Sequence, residues 1–177
     1  MGTGTAASVA DPIIIREVVV PYFLQSAKKD PDWRKIDAGL RRKYPGSAAE
    51  VLARSKVIWY RQQGKWDQFQ YAIVNYMHKY GKSVPDESLN DYAWTVFQNC
   101  PDLKCVAEAL NWSRQSFKKV ATPGYIDTYA NLLYKLGKKN EAILWEQKAK
   151  NLAVEAEQQG YQDVIDKINK NEKTWDN

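Results

Sequence analysis

The chain has 177 residues, enough for one domain of ordinary size or one short repeat array, and its 44% hydrophobic and 27% charged residues exclude a wholly disordered chain. The net charge of +5 is spread in twos and threes with acids between them (Lys28 and Lys29, Arg41 to Lys43, Lys118 and Lys119, Lys138 and Lys139), which disfavours nucleic acid as a partner. No run approaches the roughly 18 apolar residues of a membrane span, so no membrane insertion is expected, and the start lacks the basic and apolar regions of a signal peptide.

In chain order, residues 1–10 are rich in Gly, Thr and Ala and are expected to form a flexible leader, because nothing there offsets the entropy of ordering them. Residues 11–46 are expected to be an N-terminal helical segment. Within it, Ile13 to Val20 is β-branched and favours a strand, yet no second segment offers a strand partner, so a helix or irregular segment is predicted. Asp30-Pro31-Asp32 reads as an N-cap followed by Pro in the first turn, and Trp33, Ile36, Leu40 and Tyr44 recur at helical spacing up to Pro45-Gly46.

Residues 47–177 are expected to form a repeat array packed with that segment as one domain. Ser47-Ala-Ala-Glu50 fits a capping box opening a helix that runs to about residue 63. Gly64 breaks it, and a second helix runs over 66–80 to a stop at Gly81. Two helices joined so closely should pack antiparallel. A second pair follows over 86–99 and from the Cys100-Pro101-Asp102 turn to about 120. Thr122-Pro123 caps a third, over 125–136 and 139–159, with Gly137 between its helices and Gly160 at its end. Residues 163–168 read as a short C-terminal capping helix before a frayed tail around Trp175. The expected fold is all-α, a right-handed solenoid of about three antiparallel helix pairs.

The strongest signal is self-similarity at about 36 residues per helix pair. YRQQGKWDQF (60–69) lies over LYKLGKKNEA (133–142), and Val57 to Phe69 spans the same twelve residues as Ala130 to Ala142. Ala130, Ala142 and Ala149 supply the limited bulk that close helix crossing requires. These residues resemble the tetratricopeptide repeat, with departures: Phe69 and Tyr76 stand where Ala is usual, and Ala93 and Ala109 are sixteen apart. LNDYAWTVFQN (89–99), ALNWSRQS (109–116) and YIDTYANLLYKLGKKNEAILWEQKA (125–149) are similar to the helical-repeat part C-terminal to a thioredoxin-like domain in some exported proteins of Gram-negative anaerobes. That resemblance implies a periplasmic or envelope setting and an accessory role beside a redox domain.

Candidate chemistry is sparse. His78 is the only histidine and reads as a helix-surface residue; Gly81-Lys82-Ser83 lacks the strand and earlier Gly of a phosphate loop; Asp86 and Glu87 complement a helix start. No catalytic residue, metal site or cofactor is expected. Cys100 and Cys105 are not a C-x-x-C motif; they read as two cysteines near a helix junction or, in an oxidising compartment, as a small structural disulfide. In repeats of this type the first helix of each pair lines the concave face. That places Arg54, Ile58 and Arg61, then Asn90, Trp94 and Phe97, then Asp127, Asn131 and Tyr134, along a groove. The mixture of basic, aromatic and amide groups suits a protein or extended peptide as partner. The alternatives are an accessory domain of a thioredoxin-like thiol–disulfide protein and an aromatic glycan-binding surface.

Overall fold

Asp32 opens the first long helix by accepting hydrogen bonds from the backbone N–H groups of Arg34 and Lys35. The cap therefore lies after Pro31 instead of before it, and Asp30 is free to accept from the Trp59 indole and the Lys65 ammonium. In the computed structural model, which describes residues 12–26 and 29–176, every regular element is helical and no strand occurs among the described residues. The predicted leader over 1–10 lies outside those residues. No helix among them is long and apolar enough to cross a membrane.

The chain divides into two compact units, Met1–Val84 and Pro85–Asn177. The sequence pattern groups the first helix pair with the array that follows it; in the structure that pair clusters with the segment before it. In the first unit a π-helix (Ile15–Val19) leads into α1 (Val20–Ser26). Local strand preference is overridden here because Ile14, Ile15, Val18 and Val19 share one helical face, buried with Ile36, Leu40 and Val51. Val20 donates to Ile15 O, five residues back, and this wider turn sits just ahead of Pro21, which cannot donate an N–H of its own. Next come α2 (Trp33–Lys43), α3 (Ala48–Gln62) and α4 (Trp66–Tyr80). The predicted capping box at Ser47 is not formed: the Ser47 side chain makes no cap bond, since the chain enters α3 through a turn in which the Ser47 N–H binds Tyr44 O.

The second unit holds α5 (Asp86–Asn99), α6 (Leu103–Ser116), α7 (Pro123–Lys135), α8 (Lys139–Leu152) and α9 (Gln158–Asn169). Each packs on the next, and α5 also packs on α7. Asp102 and Thr122 cap α6 and α7 with their side chains, and Pro123 takes the first turn of α7. The break predicted at Gly160 lies earlier: α8 ends at buried Ala153, and Gly160 sits inside the first turn of α9. A glycine in a helix costs only about 1 kcal/mol, too little to override the packing of α9 on α8.

The two glycine turns that carry the sequence similarity have the same local geometry. Gly64 and Gly137 are left-handed (φ 62° and 79°). Lys65 N–H binds Tyr60 O and Lys138 N–H binds Leu133 O, the six-to-one bond that closes a helix on a glycine. Val57, Phe69, Ala130 and Ala142 are all fully buried, and Ala142 packs with Tyr129, Leu133 and Ile168. Ala142→Leu is therefore expected to lower stability by roughly 1–3 kcal/mol through overpacking. Thermal melting checks it, and an unchanged midpoint would place the side chain outside the contact.

Candidate functional site

At the end of α7 lie Tyr134 and Lys135, and at the end of α5 lie Phe97 and Gln98. The Lys135 ammonium donates to the Phe97 carbonyl, one of the last-turn carbonyls that α5 leaves without a helical donor. Half burial holds the Lys135 pKa below the ordinary lysine value, chiefly by loss of water around the charge.

Onto this junction the chain folds its own last segment. Asn171 adopts a left-handed conformation (φ 59°), and Glu172 N–H closes α9 by binding Lys167 O. Lys139 fixes the turn by donating to Asn169 O and to Asn171 Oδ1. The following residues cross α7 and α5. The Tyr134 hydroxyl donates to Glu172 O at 2.9 Å, and Asp176 N–H donates to Gln98 Oε1 at 3.4 Å. Between these bonds the Trp175 ring meets Phe97 and Tyr134 edge-on, each at 5.9 Å, with the Lys135 ammonium 5.2 Å from its centre. The frayed tail expected around Trp175 is thus corrected to a seated segment, because its one large ring finds an aromatic and cationic pocket.

The groove residues expected from sequence fall into three groups. Arg54, Ile58 and Arg61 are half-buried on α3 in the first unit, with Ile58 packed against that unit's core. In the second unit Asn90 and Tyr134 are half-buried, Trp94 is 37% exposed and lies tilted against Phe97 at 5.1 Å, and Phe97 is a buried floor beneath Trp175. Asn131 is buried, which corrects its assignment to an open groove, and half-buried Asp127 accepts its hydrogen bond beside buried Glu146 of α8. Gln98, Lys135 and Trp175 were missed. A lone Trp in an otherwise polar stretch was the available signal.

The interior site is a pair of acids. Asn131 donates to Asp127 Oδ1 at 2.9 Å, and Glu146 of α8 is fully buried beside Asp127. As a carboxylate, Glu146 has no donor for either oxygen. A proton held by Glu146 turns this clash into a hydrogen bond to Asp127. Burial, then the neighbouring Asp127 charge, pushes the Glu146 pKa up to about 10; burial, opposed by hydrogen bonds from Glu146 and Asn131, raises Asp127 to about 6. The signal for this site was positional: Glu146 falls between Ala142 and Ala149 on the face that carries the small residues.

Cys100 and Cys105 are buried and not joined by a disulfide, their thiols lie in hydrogen-bond contact, and that contact with burial keeps Cys105 well above the ordinary thiol pKa. His78 is exposed on α4. No group of three or more His, Cys, Asp or Glu that could hold a metal ion occurs among the described residues. In the first unit a cleft of about 350 Å³ lies beside Glu17, Tyr22, Arg42 and Lys43, but its acid, Glu17, is already held by Lys43 and Tyr44, which keep its pKa low. No protein-family model, no curated protein and no solved structure matches this chain.

Proposed function

We propose that the chain is a non-catalytic interaction module of tetratricopeptide-like helix pairs, packed antiparallel and stacked as a right-handed solenoid, whose α5–α7 face binds extended protein segments. The observation that carries this reading is the seating of residues 172–176, gripped through one backbone carbonyl, one backbone N–H and one ring. Such contacts are those by which grooves hold extended peptides: main-chain bonds supply register and a buried aromatic ring supplies most of the affinity. The identical glycine turns at Gly64 and Gly137, and the packing of α5 on α7, support the repeat assignment. By resemblance, the setting is the periplasm or cell envelope.

The test is selection of displayed peptides on the intact chain. Winners are expected to share one large aromatic ring in a non-helical stretch; a selection that enriches no common ring counts against the reading. A second reading, an accessory domain beside a thioredoxin-like thiol–disulfide domain, is favoured by the contact between Cys100 and Cys105. Mass spectrometry of unreduced protein separates the two: a Cys100–Cys105 bridge in the isolated chain supports the redox reading, and two alkylated thiols remove its basis.

A further inference from the structure

Residues 172–176 hold the α5–α7 face through two main-chain bonds, at the Glu172 carbonyl and the Asp176 N–H, and bring a like charge to Lys135 beside the ring. Lys173 brings a second ammonium to the Trp175 ring, 5.9 Å from its centre, where Lys135 already stands at 5.2 Å. Two like charges over one ring repel, and Lys135 is already half stripped of water, so the nearby Lys173 charge adds to what burial does in disfavouring its ammonium. Only six residues, 170–175, separate Asn169 at the end of α9 from Asp176, so the segment acts at a high local concentration, and a weak contact suffices to keep it seated.

We propose, resting on the peptide-binding reading, that residues 172–176 are a built-in occluding ligand, displaced by a partner segment with the same main-chain grip and a better charge. That partner is an extended protein segment with one indole-sized ring, a free carbonyl three residues before the ring, a residue other than proline immediately after it, and Asp or Glu two residues before it. The carbonyl meets the Tyr134 hydroxyl, the following N–H meets Gln98, and the acid lies where Lys173 now opposes Lys135.

The experiment titrates a fluorescent peptide copying residues 171–177, followed by anisotropy, into the intact chain and into its Trp175→Ala variant. With the seat vacated, the variant should bind the peptide at least about tenfold tighter than the intact chain, since an occluded site loses apparent affinity in proportion to its closed fraction. The Trp175→Ala and Asp176→Pro peptides should each bind the vacated chain about tenfold or more weakly, and the Lys173→Glu peptide severalfold more tightly. Installed in the full chain, Lys173→Glu should do the reverse and weaken peptide binding, which gives a second reading on a variant whose altered side chain is exposed. Equal binding by the intact chain and the Trp175→Ala variant overturns occlusion while leaving the face a peptide site. No saturable binding to either chain at millimolar peptide overturns both. If sedimentation shows a dimer that the Trp175→Ala substitution dissolves, the occupant is a second copy and closure within one chain is overturned.

Discussion

Glu146→Gln is expected to raise the melting midpoint of the chain at pH 8 by several degrees and to flatten its dependence on pH. The buried acid has a folded-state pKa of about 10, above its ordinary value of 4.5. A group raised in this way contributes its full stability below the unfolded pKa, and that contribution declines as pH climbs from there to the folded pKa, by at most about 1.4 kcal/mol per pH unit. Asp127, raised to about 6, adds to the loss only over the lower part of the range. The groups that see the pair are Asn131 on its own helix, and Tyr161 of α9, whose pKa burial raises further with help from Asp127, Glu157 and Glu146. Glutamine donates to Asp127 at every pH and carries no charge to bury. At pH 8 the variant should therefore gain about 2 kcal/mol or more, which for a chain of this length moves the midpoint by roughly 4–8 °C. At pH 5 the two proteins should melt together. Paired melting curves from pH 5 to 9 decide it, and a wild-type curve parallel to that of the variant would show that the acids are not coupled.

Trp94→Ala is expected to weaken binding of any peptide selected on the α5–α7 face by about 2 kcal/mol, roughly thirtyfold, with helicity unchanged. The ring is large, 37% exposed, and braced by Phe97, so it offers rigid apolar area at the edge of the seat without being required for the core. Phe97 cannot serve as the probe, because it is fully buried and its removal would open the unit itself. Calorimetric titration with circular dichroism on each protein checks the effect. A folded Trp94→Ala variant that binds as tightly as wild type would move the anchor to Tyr134 and Lys135 alone.

What could be read from the sequence was whatever local chemistry controls. The helices over 66–80 and 86–99, the turns at Gly64 and Gly137, and the Thr122-Pro123 cap each depend on residues within a few positions of one another, and the structure places each where it was expected. Where a longer-range contact decides the outcome, local composition alone does not suffice. Ile13 to Val20 has the composition of a strand, and only the lack of a strand partner pointed to a helix or irregular segment; the apolar face that it presents to Ile36, Leu40 and Val51 makes it helical. Gly160 has the composition of a break, but the packing of α9 carries the helix through it. Asp127 and Asn131 stand at the same spacing as the other residues assigned to the groove, and only the buried Glu146 on α8 reveals that they pack against that helix. The seat itself joins Phe97, Tyr134 and Trp175 across nearly the whole second unit, a distance over which no periodicity carries information.

At Gly64 and Gly137 an added β-carbon would meet nothing within 4 Å, so neither position selects for smallness. What each selects for is handedness. An L-residue there is strained by its backbone alone, whereas a D-alanine, whose preferred backbone is the mirror image, would sit at ease and would also narrow the freedom of the unfolded chain. The two turns are thus the places where a chain made by chemical synthesis could be stiffened by changing chirality, with no neighbouring side chain asked to move.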